Sequence, residues 1–178
     1  RSCVRRRALH LVTQAVVLDS YSRLKADLWS MACGFYVAEL VDAATAEGSP
    51  DRTLHDLAVK TLELLDMKGG GNVLLRVFEL HLLQHVGFCP SLRRCVGCGA
   101  ELRPVENSLS ATLGGVLCPD CSRTSPDARP LSVDALKVLR FWLANSLETS
   151  CRARLETELA DELEEHVRRF IECVIQRD

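Results

Sequence analysis

The sequence predicts a mainly α chain: a helical bundle with an inserted four-cysteine zinc module, preceded by one orphan strand. Three observations predict it. Apolar residues recur at helical spacing through most of 19–87 and 129–178. Between those stretches stand two C-x-x-C pairs, Cys95-Val96-Gly97-Cys98 and Cys118-Pro119-Asp120-Cys121, with 19 residues (99–117) separating them. Residues 8–18 alternate and are rich in β-branched side chains, which reads as a strand. The expected organisation is 1–18 strand remnant, 19–87 first part of the helical domain, 88–128 zinc module and 129–178 second part of the helical domain.

Each element has its own reason. A lone strand cannot satisfy its backbone, so the partners of 8–18 are expected upstream of Arg1. Over 19–46 one long helix is expected, with Asp19 or Ser20 as cap. Its apolar stripe runs through Tyr21, Leu24, Leu28, Met31, Phe35 and Ala38. A second helix over 51–67 has Ser49 as the expected N-cap and Pro50 at its first position. Its face is Leu54, Leu57, Ala58, Thr61, Leu62 and Leu65. Gly69-Gly70-Gly71 is a hinge and not a phosphate cradle, because no Lys-Ser/Thr follows it. Residues 73–86 are apolar almost all round, which places that helix at the centre of the core, capped by Asn72 and closed by Gly87. His81 and His85 lie four apart on it, a spacing open to a second metal.

Gly114 to Leu117 is expected as a short strand feeding the second cysteine pair. A helix over 133–147 starts at Ser132 and buries Leu136, Leu139 and Leu143. The last helix, 153–177, carries the stripe Leu155, Leu159, Leu163, Val167, Phe170, Ile171 and Val174. Its polar face runs from acids (Glu156 to Glu165) to bases (Arg168, Arg169), which suits the helix dipole.

The four cysteines carry the chemistry. A tight turn lets two sulfurs point at one ion, and two such turns complete a tetrahedron. Cys95, Cys98, Cys118 and Cys121 are therefore the expected ligands of one structural Zn2+, a closed set with no open position for substrate. Disulfides would need an oxidising compartment, and a redox pair would need a strand–helix setting. The other five cysteines have no regular spacing, and their odd number fits a reducing cytoplasm. A zinc deaminase would need an H-x-E motif, and none of the five histidines has Glu two residues downstream.

Composition narrows the function classes. With a net charge of −2, the chain as a whole is not an electrostatic nucleic-acid binder. With 5% aromatics, it offers no large stacking platform for single strands. No paired carboxylates in a loop and no G-x-S-x-G appear, so no enzyme is expected. Within 88–128, Arg93, Arg94, Arg103 and Arg123 balance Glu101, Glu106, Asp120 and Asp127. Adding Zn2+ and four thiolates makes the module net acidic, so Arg93, Arg94 and Arg123 serve the zinc–thiolate centre more readily than DNA. Arg1, Arg5, Arg6 and Arg7, with no acid before residue 19, are the better electrostatic candidates.

The order of motifs resembles a known family. It runs from Tyr21-Ser22-Arg23-Leu24-Lys25-Ala26-Asp27-Leu28 through Phe35-Tyr36-Val37-Ala38-Glu39-Leu40 to Leu75–Leu83. It continues with Gly87-Phe88-Cys89-Pro90-Ser91-Leu92-Arg93-Arg94-Cys95 and Gly114-Gly115-Val116-Leu117-Cys118. Together these resemble RecO, the bacterial recombination mediators and DNA repair proteins, over nearly the whole chain. The resemblance implies an N-terminal oligonucleotide/oligosaccharide-binding (OB) barrel, of which 8–18 would be the last strand, and a helical domain bearing a zinc module. It implies a non-enzymatic mediator in the bacterial cytoplasm, associated with the nucleoid. Such a protein binds single- and double-stranded DNA, anneals strands and promotes recombinase loading. The implied protein partners are RecR and the acidic C-terminal tail of single-stranded-DNA-binding protein. Arg5, Arg6, Arg7, Arg93 and Arg94 are the nucleic-acid candidates. Arg76, Lys137 and Arg140 are the candidates for the tail, because an acidic peptide with an apolar end needs a greasy groove edged by cations. A purely protein-binding zinc adaptor and a thiol redox protein are the alternatives.

Overall fold

Asp27 divides the first helical stretch. Where one helix is expected over 19–46, the structure, a computed structural model that describes residues 13–45, 50–69 and 71–175, has two: α1 (Ser22–Ala26) and α2 (Leu28–Ala44). Asp27 is extended, and its carboxylate accepts from the Ser30 N–H at 2.7 Å. That acceptor satisfies a free donor of the new first turn, so the helix restarts there. The restart rotates the buried face. Ser30, Cys33, Gly34, Val37 and Leu40 point inward, whereas Leu28 and Phe35, expected in the stripe, are 77% and 69% exposed. Of the strand expected over 8–18, residues 8–12 lie outside the described residues. Residues 13–18 are exposed and pair with no strand among the described residues.

α3 (Arg52–Lys68) is capped by Asp51, which accepts from the Leu54 N–H at 2.9 Å. The cap thus falls after Pro50, and Ser49, the expected cap, lies outside the described residues. α4 (Asn72–His85) starts from Gly71, so Asn72 is its first helical residue and not its cap. Its end follows the expectation. Gly87 takes φ 86°, and the Gly87 and Phe88 N–H groups return to Gln84 and Leu83 at 3.3 and 2.8 Å. This is the left-handed glycine closure of a helix.

α4 is the axis of the bundle. It packs against α3, α6 (Val133–Ala144), α7 (Leu147–Ser150) and α8 (Thr157–Ile175), and Val77, Phe78, Leu82 and Leu83 are completely buried. One polar cluster sits among them. Glu79, also fully buried, accepts from the Tyr36 hydroxyl at 2.5 Å and lies 2.8 Å from the Arg76 guanidinium. Burial pushes the Glu79 carboxyl up to about 7, against the opposing pull of Arg76 and Tyr36.

The second half closes the bundle. Ser132 caps α6 as expected, accepting from the Ala135 N–H at 3.0 Å. α6 stops at Ala144, short of 147, because Asn145 is extended and Ser146 caps the separate helical turn α7. α8 buries Leu163, Val167, Phe170 and Ile171, and also His166, whose Nε2 lies 2.9 Å from the Pro130 carbonyl. Glu162 leaves the polar face to accept from the backbone and hydroxyl of Ser132 at 2.7 and 2.8 Å, tying α8 to the start of α6. Between α4 and α6 lies a three-stranded antiparallel sheet in the order β2-β1-β3: β1 (Asn107–Ser110), β2 (Gly115–Leu117) and β3 (Arg129–Leu131).

Candidate metal centre

The first cysteine pair lies on a hairpin whose arms meet at the bridge Arg94–Glu101. The Cys95 N–H donates to Ala100 at 2.8 Å, and the Gly99 N–H donates to Cys95 at 2.8 Å. Gly99 has φ 74°, a conformation a side chain would strain. The second pair begins where β2 ends. Cys118 occupies the position just before α5 (Pro119–Ser122), and Cys121 lies inside that single turn. The second turn is thus a strand-to-helix corner.

Two close approaches hold the halves together. A Cβ on Gly97 would lie 3.0 Å from the Cys121 Cβ and 3.1 Å from its Sγ. A Cβ on Gly115 would lie 2.7 Å from the Ser91 carbonyl, to which the Val116 N–H donates at 2.9 Å. Glycine at 97 and 115 lets the first hairpin lie flat on β2.

The result is a cage of sulfurs. The ligand atoms of Cys95, Cys98, Cys118 and Cys121 all lie within 4.8 Å of one another. The Cys98 and Cys118 sulfurs are 4.0 Å apart. A tetrahedral ion with metal–sulfur bonds of about 2.3 Å needs sulfurs about 3.8 Å apart, so the four fit one ion with little adjustment. Burial acts to raise the Cys95 thiol. It is outweighed by N–H groups of Cys118, Cys98 and Gly97, which hold the group down at about 6. Hydrogen bonds that the Cys121 thiol donates to the other three sulfurs, Cys118 first, push Cys121 up to about 12. Cys95 is therefore the readiest thiolate, and a metal ion entering the cage would displace protons from the others, so its affinity would rise with pH and weaken as pH falls.

A second polar cluster locks the turn between β1 and β2. Asp127 accepts from the Ser110 hydroxyl at 2.8 Å, the Thr112 N–H at 3.1 Å and the Ser125 hydroxyl at 2.9 Å. Burial works against its charge, but these hydrogen bonds win and hold it well below the usual carboxylate range. Asp127→Asn should cost about 1–3 kcal/mol in urea unfolding at pH 7. Because its native pKa is depressed, the contribution is full above the unfolded value near 4 and is lost as pH falls toward the native one. The gap between wild type and Asp127→Asn should narrow over that window.

The other candidates are dispersed. Arg5, Arg6 and Arg7 lie outside the described residues. Arg76 is 7% exposed and committed to Glu79, so it is part of the core and not an open cation. Lys137 is exposed and pairs with Asp134 at 2.8 Å. Arg140 donates its Nε and a terminal nitrogen to the Leu92 carbonyl at 2.9 and 2.7 Å, which staples α6 to the cysteine module. Arg140, Arg93 and Arg94 line one groove of about 490 Å³, whose remaining walls are Cys89, Pro90, Ser91, Leu92, Leu143 and Ala144. Arg93 and Arg94 are exposed and have no carboxylate partner among the described residues. The sequence does not pair residues 93–94 with 140. The Arg140–Leu92 staple brings them together. His81 and His85 take separate partners, the Trp142 carbonyl at 3.0 Å and Asp51 at 2.6 Å, and do not converge on a second metal.

Among the described residues, no helix is long and apolar enough to cross a membrane. The family described as "Recombination protein O C terminal" matches residues 25–178. Relatives named "DNA repair protein RecO" align along nearly the whole chain. That of Roseiflexus sp. (strain RS-1) is 36% identical over 172 residues, 97% of this chain and 61% of its own. One from Dehalococcoides mccartyi is 33% identical over 177 residues, 99% of this chain and 70% of its own. That of Symbiobacterium thermophilum is 35% identical over 168 residues, 93% of this chain and 66% of its own. The chain thus spans about three fifths to seven tenths of the length of these relatives. With the helical bundle, the four-sulfur cage and a family match over 25–178, the chain belongs to the RecO family of DNA repair proteins.

Proposed function

We propose that this chain is the partner-docking and metal-stabilised part of a RecO-type recombination mediator, without enzymatic activity. Its ion is zinc: four thiolates in a tetrahedron suit Zn2+, and a closed set gives the ion a structural task. The whole protein works in the bacterial cytoplasm with RecR and with single- and double-stranded DNA, annealing strands and aiding recombinase loading. Strong DNA binding belongs to the OB barrel, with Arg5, Arg6 and Arg7 beside it.

The groove at the cysteine module carries the reading for this chain. Its apolar walls (Pro90, Leu92, Leu143, Ala144) lie beside Arg93, Arg94 and Arg140. An acidic peptide ending in apolar residues matches both features, which is the chemistry of the tail of single-stranded-DNA-binding protein. Of the tail residues expected from sequence, Arg140 stays in this role, now as the staple that shapes the groove, and Arg93 and Arg94 join it as the free cations. Lys137 and Arg76 do not line it.

Fluorescence anisotropy of a labelled tail peptide tests this. Binding should weaken as salt rises, because exposed cations meet a carboxylate-rich ligand. The double variant Arg93→Glu, Arg94→Glu should weaken it about tenfold or more at low salt. Undiminished binding by that variant, or no binding at low salt, would move the tail elsewhere.

A further inference from the structure

Two carboxyl groups of this fold stand in opposite situations. Asp127 is surrounded by hydroxyl and N–H donors, which keep its charge. Glu79 is fully excluded from water and has half a set of partners. Its Oε1 accepts from the Tyr36 hydroxyl at 2.5 Å and lies 2.8 Å from the Arg76 guanidinium. Its Oε2 is buried and has no hydrogen-bond partner among the described residues, and neither does the Arg76 Nε. Arg76 is itself divided, since its other terminal nitrogen lies 3.9 Å from Glu164 on α8. The groups that act on the Glu79 carboxyl come from three helices. Arg76 from α4, Tyr36 from α2 and Arg168 from α8 favour its anion, whereas Glu164 opposes it and burial opposes it most. On α3, α6 and α7, which also pack on α4, charged groups take partners elsewhere. Lys60 pairs with Glu63 and Glu148, and Lys137 with Asp134. Asp66 accepts from the Leu24 N–H, and Arg140 donates to Leu92.

One ion pair replaces a hydration shell only when the remaining lone pairs are also satisfied. An ionised Glu79 leaves charge on an oxygen that no donor reaches. The neutral acid removes that penalty and keeps the Tyr36 contact at the other oxygen. That contact carries the effect outward, because the Tyr36 hydroxyl ties α2 to α4. We propose that Glu79 is a proton-linked latch: one proton taken from solvent by its carboxyl closes α2 on α4, and return of that proton to solvent loosens it. Burial, which pushes this carboxyl up to about 7, places the exchange near neutrality. In the unfolded chain the same group titrates near about 4.3. Between those values the folded chain holds a proton that the unfolded chain has released. Stability is therefore greatest at the acid end of that window and is lost as pH rises toward 7, by up to about tenfold in the folding constant per pH unit. Well above 7 both states are ionised and the dependence vanishes. The direction is opposite to that of Asp127, whose contribution is lost as pH falls.

Urea unfolding of wild type beside Glu79→Gln tests the latch, because Gln keeps the shape of the neutral acid and cannot ionise. The ratio of wild-type to variant folding constants should fall about tenfold between pH 6 and 8 and level off above that. Groups common to both proteins, the cysteine cage included, cancel in the ratio. Two readouts on the wild type need no folded variant. Hydrogen exchange of the α2 amides, corrected for intrinsic rates, should speed up about tenfold over the same range. NMR of protein labelled with 13C at the glutamate carboxyls should show one side chain titrating near pH 7, apart from the others. Tyr36→Phe removes a donor to the anion and should move that midpoint upward. A folding-constant ratio that does not change with pH, α2 exchange equal at pH 6 and 8, or glutamate carboxyls that all titrate near pH 4 would overturn the proposal.

Discussion

Cys98→Ser should release the metal ion and unfold the module spanning 88–128 at temperatures where the wild type is intact. The expected size follows from the site. Cys98 supplies one of four sulfurs within 4.8 Å of one another, and the hairpin and the α5 corner meet through that cage. Structural zinc contributes roughly 10–16 kcal/mol of apparent binding energy in small domains, and that energy is folding energy. The damage should reach the groove at Arg93 and Arg94, because Leu92, held by Arg140, leads directly into the first cysteine turn. Thermal melting with metal analysis of the same sample should show both losses together. A Cys98→Ser protein that melts like wild type would mean that the sheet β2-β1-β3 holds the module without an ion.

Phe78→Ala should cost about 3–5 kcal/mol in denaturant unfolding. Phe78 is completely buried in α4, the helix that α3, α6, α7 and α8 all touch. A cavity at that axis is ringed by close-packed helices that relax only partly, so most of the lost contacts are not recovered. A cost below about 1 kcal/mol would place Phe78 near the surface and contradict the arrangement of the bundle.

What was legible in the sequence divides by physical range. The four-sulfur cage was readable because its cysteines lie in two local turns, each specified by three-residue spacing. α4 was readable because an all-round apolar helix has one place to go. The register of α2 was not, since a single side-chain acceptor, Asp27, restarted the helix and turned Leu28 and Phe35 outward. Strands β1 and β3 escaped for a different reason. They are four and three residues long, and they are fixed by pairing across the module and not by a pattern of their own. Arg76 shows the limit most plainly. On a helix wheel it is an open cation, but its worth is decided by Glu79, which the core buries, and by Tyr36 from another helix. The Arg93, Arg94 and Arg140 groove likewise depends on one long-range contact, Arg140 to Leu92, that no local rule supplies.

The central claim is that four thiolates close a tetrahedral zinc centre on which the partner-binding groove is built. Zinc-edge X-ray absorption on freshly purified, reduced protein, with elemental analysis of the same sample, tests it most directly. The account predicts one zinc per chain and a single shell of four sulfurs at about 2.3 Å. Protein without zinc, or a shell containing nitrogen or oxygen ligands, would contradict it.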